Sequence, residues 1–232
     1  MGDRINKWLS NAGACSRREA DRLVEAGSVT INGVTAELGS KVEEGDIVEI
    51  KGRRVNPVRK RVIIAFNKPA GVVCTTDRIR EKDNIIDYIN YPERIYPIGR
   101  LDKDSEGLIL LTNDGSIVNG ILKARYYHEK EYVVTLTRPY DEEFIEKMAA
   151  GVDLGDTVTR KCKVTPVSKV TFRIVLTQGI NRQIRRMCEA LGYRVKYLKR
   201  IRIMHIELGT LPVGQWRDLT HSEIRKLEKI FF

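Results

Sequence analysis

The segment Gly99-Arg100-Leu101-Asp102-Lys103-Asp104-Ser105-Glu106-Gly107-Leu108 carries the densest chemistry in the chain. Two glycines bracket a run of charged residues, and the apolar stretch Ile109-Leu110-Leu111 follows at once. This pattern predicts a polar loop held against a buried strand. In an extended segment Arg100 and Asp102, two residues apart, face the same side. A carboxylate among cations stays ionised, which is the form that works as a nucleophile or a base. Two other readings fit the spacing. Asp102-x-Asp104-x-Glu106-Gly107 matches the opening of a calcium loop, but its twelfth position is Asn113 where a bidentate Glu is needed, and a hydrophobic strand replaces the other ligands. The same residues also suit a surface turn closed by an ion pair.

The elements that must position this loop are mostly strands. Apolar or alternating runs predict strands at Val62 to Phe66, Leu108 to Leu111, Tyr132 to Leu136, Thr157 to Val164, Val170 to Leu176 and Arg202 to Leu208. Helical periodicity appears near 116–123, 141–150, 181–191 and 220–230, the last opened by the capping box Thr220-His221-Ser222-Glu223. In the helix near 181–191, Ile184, Met187, Cys188 and Leu191 form the buried stripe. Arg185 sits at the stripe's edge and can reach inward, while Arg182 and Arg186, four apart, suit phosphates. Strands outnumber helices without strict alternation, so the expected class is α+β with a largely antiparallel sheet.

A smaller module precedes this part. Ile5, Trp8, Leu9 and Ala12 mark a short amphipathic helix, and Ser16-Arg17-Arg18-Glu19 is a capping box opening a second. Ala20, Leu23 and Val24 make its buried stripe, leaving Arg17, Arg18 and Arg22 outward. Val29-Thr30-Ile31, Asn32-Gly33 and Val34-Thr35-Ala36 spell a hairpin. The expected division is an α-α-β module at 1–52, a basic linker at 53–61 broken by Pro57, and a second domain at 62–232.

Composition narrows the partners. The 232 residues hold 41 Lys+Arg against 31 Asp+Glu, for a net charge of +10. Lys51 to Arg61 carries +6 and Arg182 to Arg202 carries +7, clusters that nucleic acid or a membrane surface reads. No stretch reaches the ~18 consecutive apolar residues of a membrane helix, and the N-terminus lacks a signal-peptide core. Cys15, Cys74, Cys162 and Cys188 lie far apart with no C-x-x-C pair, which argues against a disulfide scaffold or a four-thiolate zinc site and for a cytoplasmic protein. His128, His205 and His221 lack metal-ligand spacing, so no metal is assigned.

The motifs together are more specific than any of them alone. Asp3-Arg4-Ile5-Asn6-Lys7-Trp8-Leu9, Gly13 to Ala20, Gly27 to Gly33 and Gly45 to Val48 resemble the S4 RNA-binding domain. Gly99-Arg100-Leu101-Asp102 with Ser105-x-Gly107-Leu108 resembles the catalytic motif of the RNA pseudouridine synthases. The family's other motifs appear in order, as Asn67-Lys68-Pro69-Ala70-Gly71, Glu129-Lys130-Glu131-Tyr132 and Leu176 to Met187. Leu101 to Ser105 and Thr157 to Val164 most resemble the large-subunit members of the branch that carries an S4 domain. Ser105 stands where most of the wider family has Thr, and Gln178 where many members have Glu; both keep hydrogen-bonding capacity.

The resemblance implies isomerisation of uridine to pseudouridine in 23S ribosomal RNA by a monomeric enzyme without a cofactor. Small-subunit rRNA or tRNA are the alternative substrates. A ribosome-assembly protein that only binds RNA is the rival from another class, and the intact Asp102, Tyr132 and Arg185 argue against it. The implied roles are these. Asp102 attacks C1′ or removes a proton at C2′. Arg100 fills the gap left by the flipped base. Tyr132 stacks on the uracil, Arg185 pairs with Asp102, and Leu176 forms an apolar wall under the base. Arg17, Arg18, Arg22, Arg182 and Arg186 grip RNA phosphates.

Overall fold

The computed structural model describes residues 2–56, 61–77, 81–122 and 127–231. Pro57, Arg59 and Lys60 of the basic run lie outside them. The chain divides into two compact units.

The first unit takes Met1–Val62 together with Tyr91–Ile95 and Thr112–Ile117. Its elements run β1 (Asp3–Arg4), α1 (Ile5–Asn11), α2 (Arg17–Glu25), β2 (Val29–Ile31), β3 (Val34–Thr35), β4 (Lys41–Val42), β5 (Val48–Ile50) and β6 (Arg53–Val55). Ser16 caps α2, its hydroxyl accepting from the Glu19 N–H at 3.2 Å. Ile5, Leu9, Ala20 and Val24 from the helices pack on Val29, Val42 and Val48. The sheet order is β3-β2-β5-β6. Two turns, Asn32-Gly33 (φ 52° and 81°) and Lys51-Gly52 (φ 50° and 72°), carry left-handed backbone at both positions, which matches the twist of the strands they join. The second turn opens the basic run Lys51 to Arg61 and leads into residues expected as linker. It returns the chain as β6, which pairs with β5 and turns Val55 onto the core.

The second unit holds β7 (Ile63–Lys68), α3 (Ile85–Ile89), β8 (Tyr96–Ile98), β9 (Glu106–Thr112) as far as Leu111, α4 (Gly115–Leu122) from Val118, β10 (Lys130–Leu136), α5 (Glu142–Ala150), β11 (Lys163–Pro166), β12 (Thr171–Leu176), α6 (Gln183–Ala190), β13 (Val195–Ile203), β14 (Ile206–Glu207), β15 (Trp216–Asp218) and α7 (His221–Phe231). Its sheet runs β11-β12-β10-β13-β9-β7-β15, with β14 beside β13 and β8 beside β9. The class is the expected α+β with a mixed sheet. Most pairs are antiparallel, but β9 and β13 run parallel. Every residue of β7 is buried, as are Gly107 to Thr112 of β9, so these strands read as continuous apolar runs. Phe144 and Met148 of α5 and Ile184, Met187 and Cys188 of α6 pack on Val134, Leu136, Phe172, Ile174 and Leu176 of the sheet.

Two strand expectations need correction. Of Thr157 to Val164, only the end becomes β11; the rest is an irregular segment whose Thr159 hydroxyl accepts from the Val152 N–H at 2.9 Å. Arg202 to Leu208 is two strands, not one: Met204, at φ 54°, turns the end of β13 into β14 with Ile203 opposite Ile206. No Asn-Gly or Gly marks that turn, so no turn residue separates the two strands in the sequence.

Gly107 shows why β9 carries a glycine inside a buried strand. Its φ is 109°, and a Cβ there would stand 2.2 Å from the Arg200 carbonyl oxygen on β13. Gly107→Ala is expected to lower unfolding free energy by about 3 kcal/mol or more, or to prevent folding, measured by urea titration. A loss under ~1 kcal/mol would mean that the strands separate freely at this point.

Candidate active site

The loop between β8 and β9 is fastened through its main chain. Leu101 N–H donates to Cys74 Sγ at 3.4 Å, and Ser105 N–H to the Asp102 carbonyl at 3.0 Å. The Lys103 carbonyl accepts from Gly71 N–H at 2.8 Å and from Lys68 Nζ at 3.2 Å. The Asp104 carbonyl accepts from Arg185 Nη2 at 3.1 Å. Lys68 is wholly buried and spends its other donors on the Pro69 and Val72 carbonyls, each at 2.8 Å. A buried ammonium is tolerable only when its donors are matched in this way. Burial pushes its pKa down, and the Arg200 charge pushes the same way against Cys74, Asp102 and Asp104.

The half-buried Asp102 side chain lines a cavity of ≈ 530 Å³, within the roughly 300–1,000 Å³ of ligand sites. Asp102 is the one acidic residue among those lining it, beside Arg100, Lys130, Arg182 and Arg200. Among the described residues, no side chain hydrogen-bonds or ion-pairs with its carboxylate. Tyr132, on β10, forms part of the wall, opposite Arg200 in the β10–β13 register. The Arg200 guanidinium carbon lies 6.0 Å from its ring centroid. Leu176 at the end of β12 is buried and lines the cavity. Burial, with Arg200 near, pushes the Lys130 ammonium down to about 8.

The expected site residues therefore separate into groups. Arg100, Asp102, Tyr132, Leu176 and Arg182 meet at one cavity. Arg182 precedes α6 in left-handed backbone (φ 50°), so it leaves the helix and turns to the cavity, while Arg186 does not follow it. Arg186 donates to the Leu154 carbonyl and pairs with Asp156 on the surface. Arg185 is buried, and its partner is the Asp104 carbonyl; no ion pair joins it to Asp102. Arg17, Arg18 and Arg22 are exposed on α2 of the first unit.

Sequence reasoning gave no role to Lys68, Lys130, Leu198 or Arg200. The first two sit inside quoted motifs. The signal for the others was the two-residue spacing of Leu198 and Arg200, which puts both on one face of β13; both line the cavity.

Comparison with known proteins identifies the family. Residues 62–190 match the family model described as RNA pseudouridylate synthase, and residues 3–48 match the S4 domain. The chain is 53% identical over 229 residues to the dual-specificity RNA pseudouridine synthase RluF of Escherichia coli (strain K12), covering 98% of this chain and 79% of that one. It is 36% identical to the ribosomal large subunit pseudouridine synthase B of Bacillus subtilis (strain 168), covering 98% and 96%. The crystal structure of a pseudouridylate synthase superposes with a TM-score of 0.71 at 30% identity, covering 97% of this chain and 99% of that one. A family model that spans more than half of the chain, with relatives matched along nearly its whole length, shows that this chain belongs to the RNA pseudouridylate synthase family.

Proposed function

We propose that the enzyme isomerises a uridine of 23S ribosomal RNA to pseudouridine, acting as a cytoplasmic monomer without a cofactor or metal. Residues 1–52 with strand β6 (Arg53–Val55) serve as the S4-like docking module, the rest of the expected linker at 53–61 as a basic connection and 62–232 as the catalytic domain. The observation that carries this reading is the joint presence of Asp102 and Tyr132 in one cavity whose other charges are all positive. Asp102 breaks the N1–C1′ bond, either by attacking C1′ or by taking a proton from C2′. The exposed Arg100 at the cavity stacks where the base has left the helix, offsetting an unstacking cost of a few kcal/mol. Tyr132 stacks on the extracted uracil, Leu176 walls the base, and Arg182 holds phosphate. Arg185 acts as a positioning residue through the loop backbone. The large-subunit name of the Bacillus relative supports a large-subunit rRNA target, and the 53% identity to RluF supports the synthase chemistry. The dual specificity in RluF's name calls for testing more than one RNA.

The test is incubation of the purified chain with 23S, 16S and tRNA transcripts, followed by pseudouridine mapping. Conversion at a defined 23S uridine is expected; conversion confined to 16S rRNA or tRNA, or none at all, would overturn the assignment.

The docking role has its own check. Replacing Arg17, Arg18 and Arg22 together with Ala is expected to weaken binding to folded rRNA and to flatten the dependence of log K on log salt by about 2. An unchanged slope would remove these three from the RNA surface.

A further inference from the structure

Arg200 is the buried guanidinium of this cavity, and among the described residues no carboxylate balances it. It is 3% exposed, its Nε donates to the Leu108 carbonyl at 2.6 Å, and its buried Nη2 has no hydrogen-bond partner. Among the described residues, no carboxylate pairs with it. Its charge opposes that of Lys68 and Lys130. Holding such a guanidinium in a folded interior is costly, and a cost of this kind persists where a ligand or reaction uses it. The compensating group is an anion that enters, or forms, beside the Tyr132 ring.

The functional reading above supplies one, and the inference rests on it. When N1–C1′ breaks, both bonding electrons leave with the uracil, which becomes an anion with charge spread over N1, O2 and O4. This holds whether the Asp102 carboxylate forms the new bond to C1′ or takes the C2′ proton to give a glycal. The ring then turns and C5 bonds to C1′. In the first route the carboxylate departs with its electron pair; in the second the proton returns to C2′. Loss of the C5 proton to N1, through solvent or a relay, restores the aromatic base with no net gain or loss of atoms.

We propose that Arg200 is a further catalytic residue, donating to a carbonyl oxygen of the detached uracil anion and holding it against Tyr132 while it turns. Leu108 fixes the guanidinium from behind, so little reorganisation is needed when the charge appears. Backbone phosphate is a poorer partner. Phosphates of a flipped nucleotide stay with the strand, where the exposed Arg182 meets them, whereas Arg200 is enclosed beside the ring that stacks the base.

The experiment compares wild type, Arg200→Gln and Arg200→Lys in single-turnover reactions on RNA carrying uridine or 5-fluorouridine at the target. Bond breaking is read as rearranged product plus enzyme-linked RNA. Arg200→Gln is expected to slow the uridine reaction about 100-fold, with RNA affinity little changed. Fluorine makes the anion a weaker base, so the deficit should shrink by about tenfold on 5-fluorouridine. Arg200→Lys keeps the charge and should stay within about tenfold of wild type. An equal deficit on both substrates, or a loss of affinity that matches the loss of rate, would overturn the clamp. If Arg200→Gln does not fold, Arg200→Lys decides: a folded Lys variant slowed beyond 100-fold overturns the clamp, and one near wild type on uridine supports it. A wild-type chain that forms no pseudouridine overturns the functional reading and the clamp with it.

Discussion

Asp102→Asn is expected to stop pseudouridine formation, a loss of about 10³-fold or more in rate, while the protein stays folded and RNA-bound. The substitution is nearly isosteric and removes no contact of the carboxylate, which has no hydrogen-bond or ion-pair partner among the described residues. The loop's shape does not depend on this side chain. It depends on the Asp102, Lys103 and Asp104 carbonyls, held by Ser105, Gly71, Lys68 and Arg185. Asn can neither donate an electron pair to C1′ effectively nor accept a proton from C2′, so both routes fail together. The cavity already gathers Arg100, Lys130, Arg182 and Arg200, and removing its one carboxylate makes the site more positive. RNA affinity should therefore hold or rise modestly. The measurements are single-turnover mapping of pseudouridine, filter binding and thermal unfolding. Turnover by the folded Asn variant at a rate close to wild type would remove Asp102 from the chemistry.

Arg185→Ala is expected to lower the rate by about 100-fold with RNA affinity nearly unchanged, because a misplacement of the order of 1 Å suffices for such a loss. Arg185 is buried, makes no surface for phosphate, and holds the Asp104 carbonyl two residues from Asp102. Without it, Lys68 and Gly71 still hold Lys103, so the loop loosens on one side only. Folding should survive. The guanidinium's Nε is buried without a partner, and removing it relieves one desolvation penalty while creating another at the Asp104 carbonyl. Arg186→Ala is the internal control: its guanidinium engages Asp156 and Leu154, and it does not line the cavity. The split between kcat and KM decides. A rise in KM with kcat intact for Arg185→Ala would make this arginine an RNA contact after all.

Both expectations turn on residues whose types the sequence displays and whose partners it does not. The Gly99 to Leu108 loop was legible because glycine, charge and an adjoining apolar strand have local causes. The capping boxes were legible for the same reason: Ser16 accepts from Glu19, and Thr220 and Glu223 bond each other's N–H groups at 3.2 and 2.8 Å. The turn at Met204 was not, since nothing in its side chain favours left-handed backbone, and strand pairing imposes it.

The basic run from Arg182 to Arg202 makes the same distinction in terms of charge. Its +7 reads as a face for a polyanion. In the folded chain Arg185 and Arg200 are buried, Lys199 pairs with Glu106, and Arg202 with Glu129 and Glu131. Arg186 is paired with Asp156.

By itself, then, the sequence determined the chemistry available, the order of its motifs and the family they define, because side-chain type and local spacing depend on neighbours along the chain. Only the tertiary structure decided which cations face Asp102 and which are neutralised elsewhere. Arg200 reaches the cavity because β13 lies between β9 and β10, opposite Gly107 on one side and Tyr132 on the other. That register is set by packing between strands distant in sequence, where a shift of one residue would turn Arg200 to the opposite face.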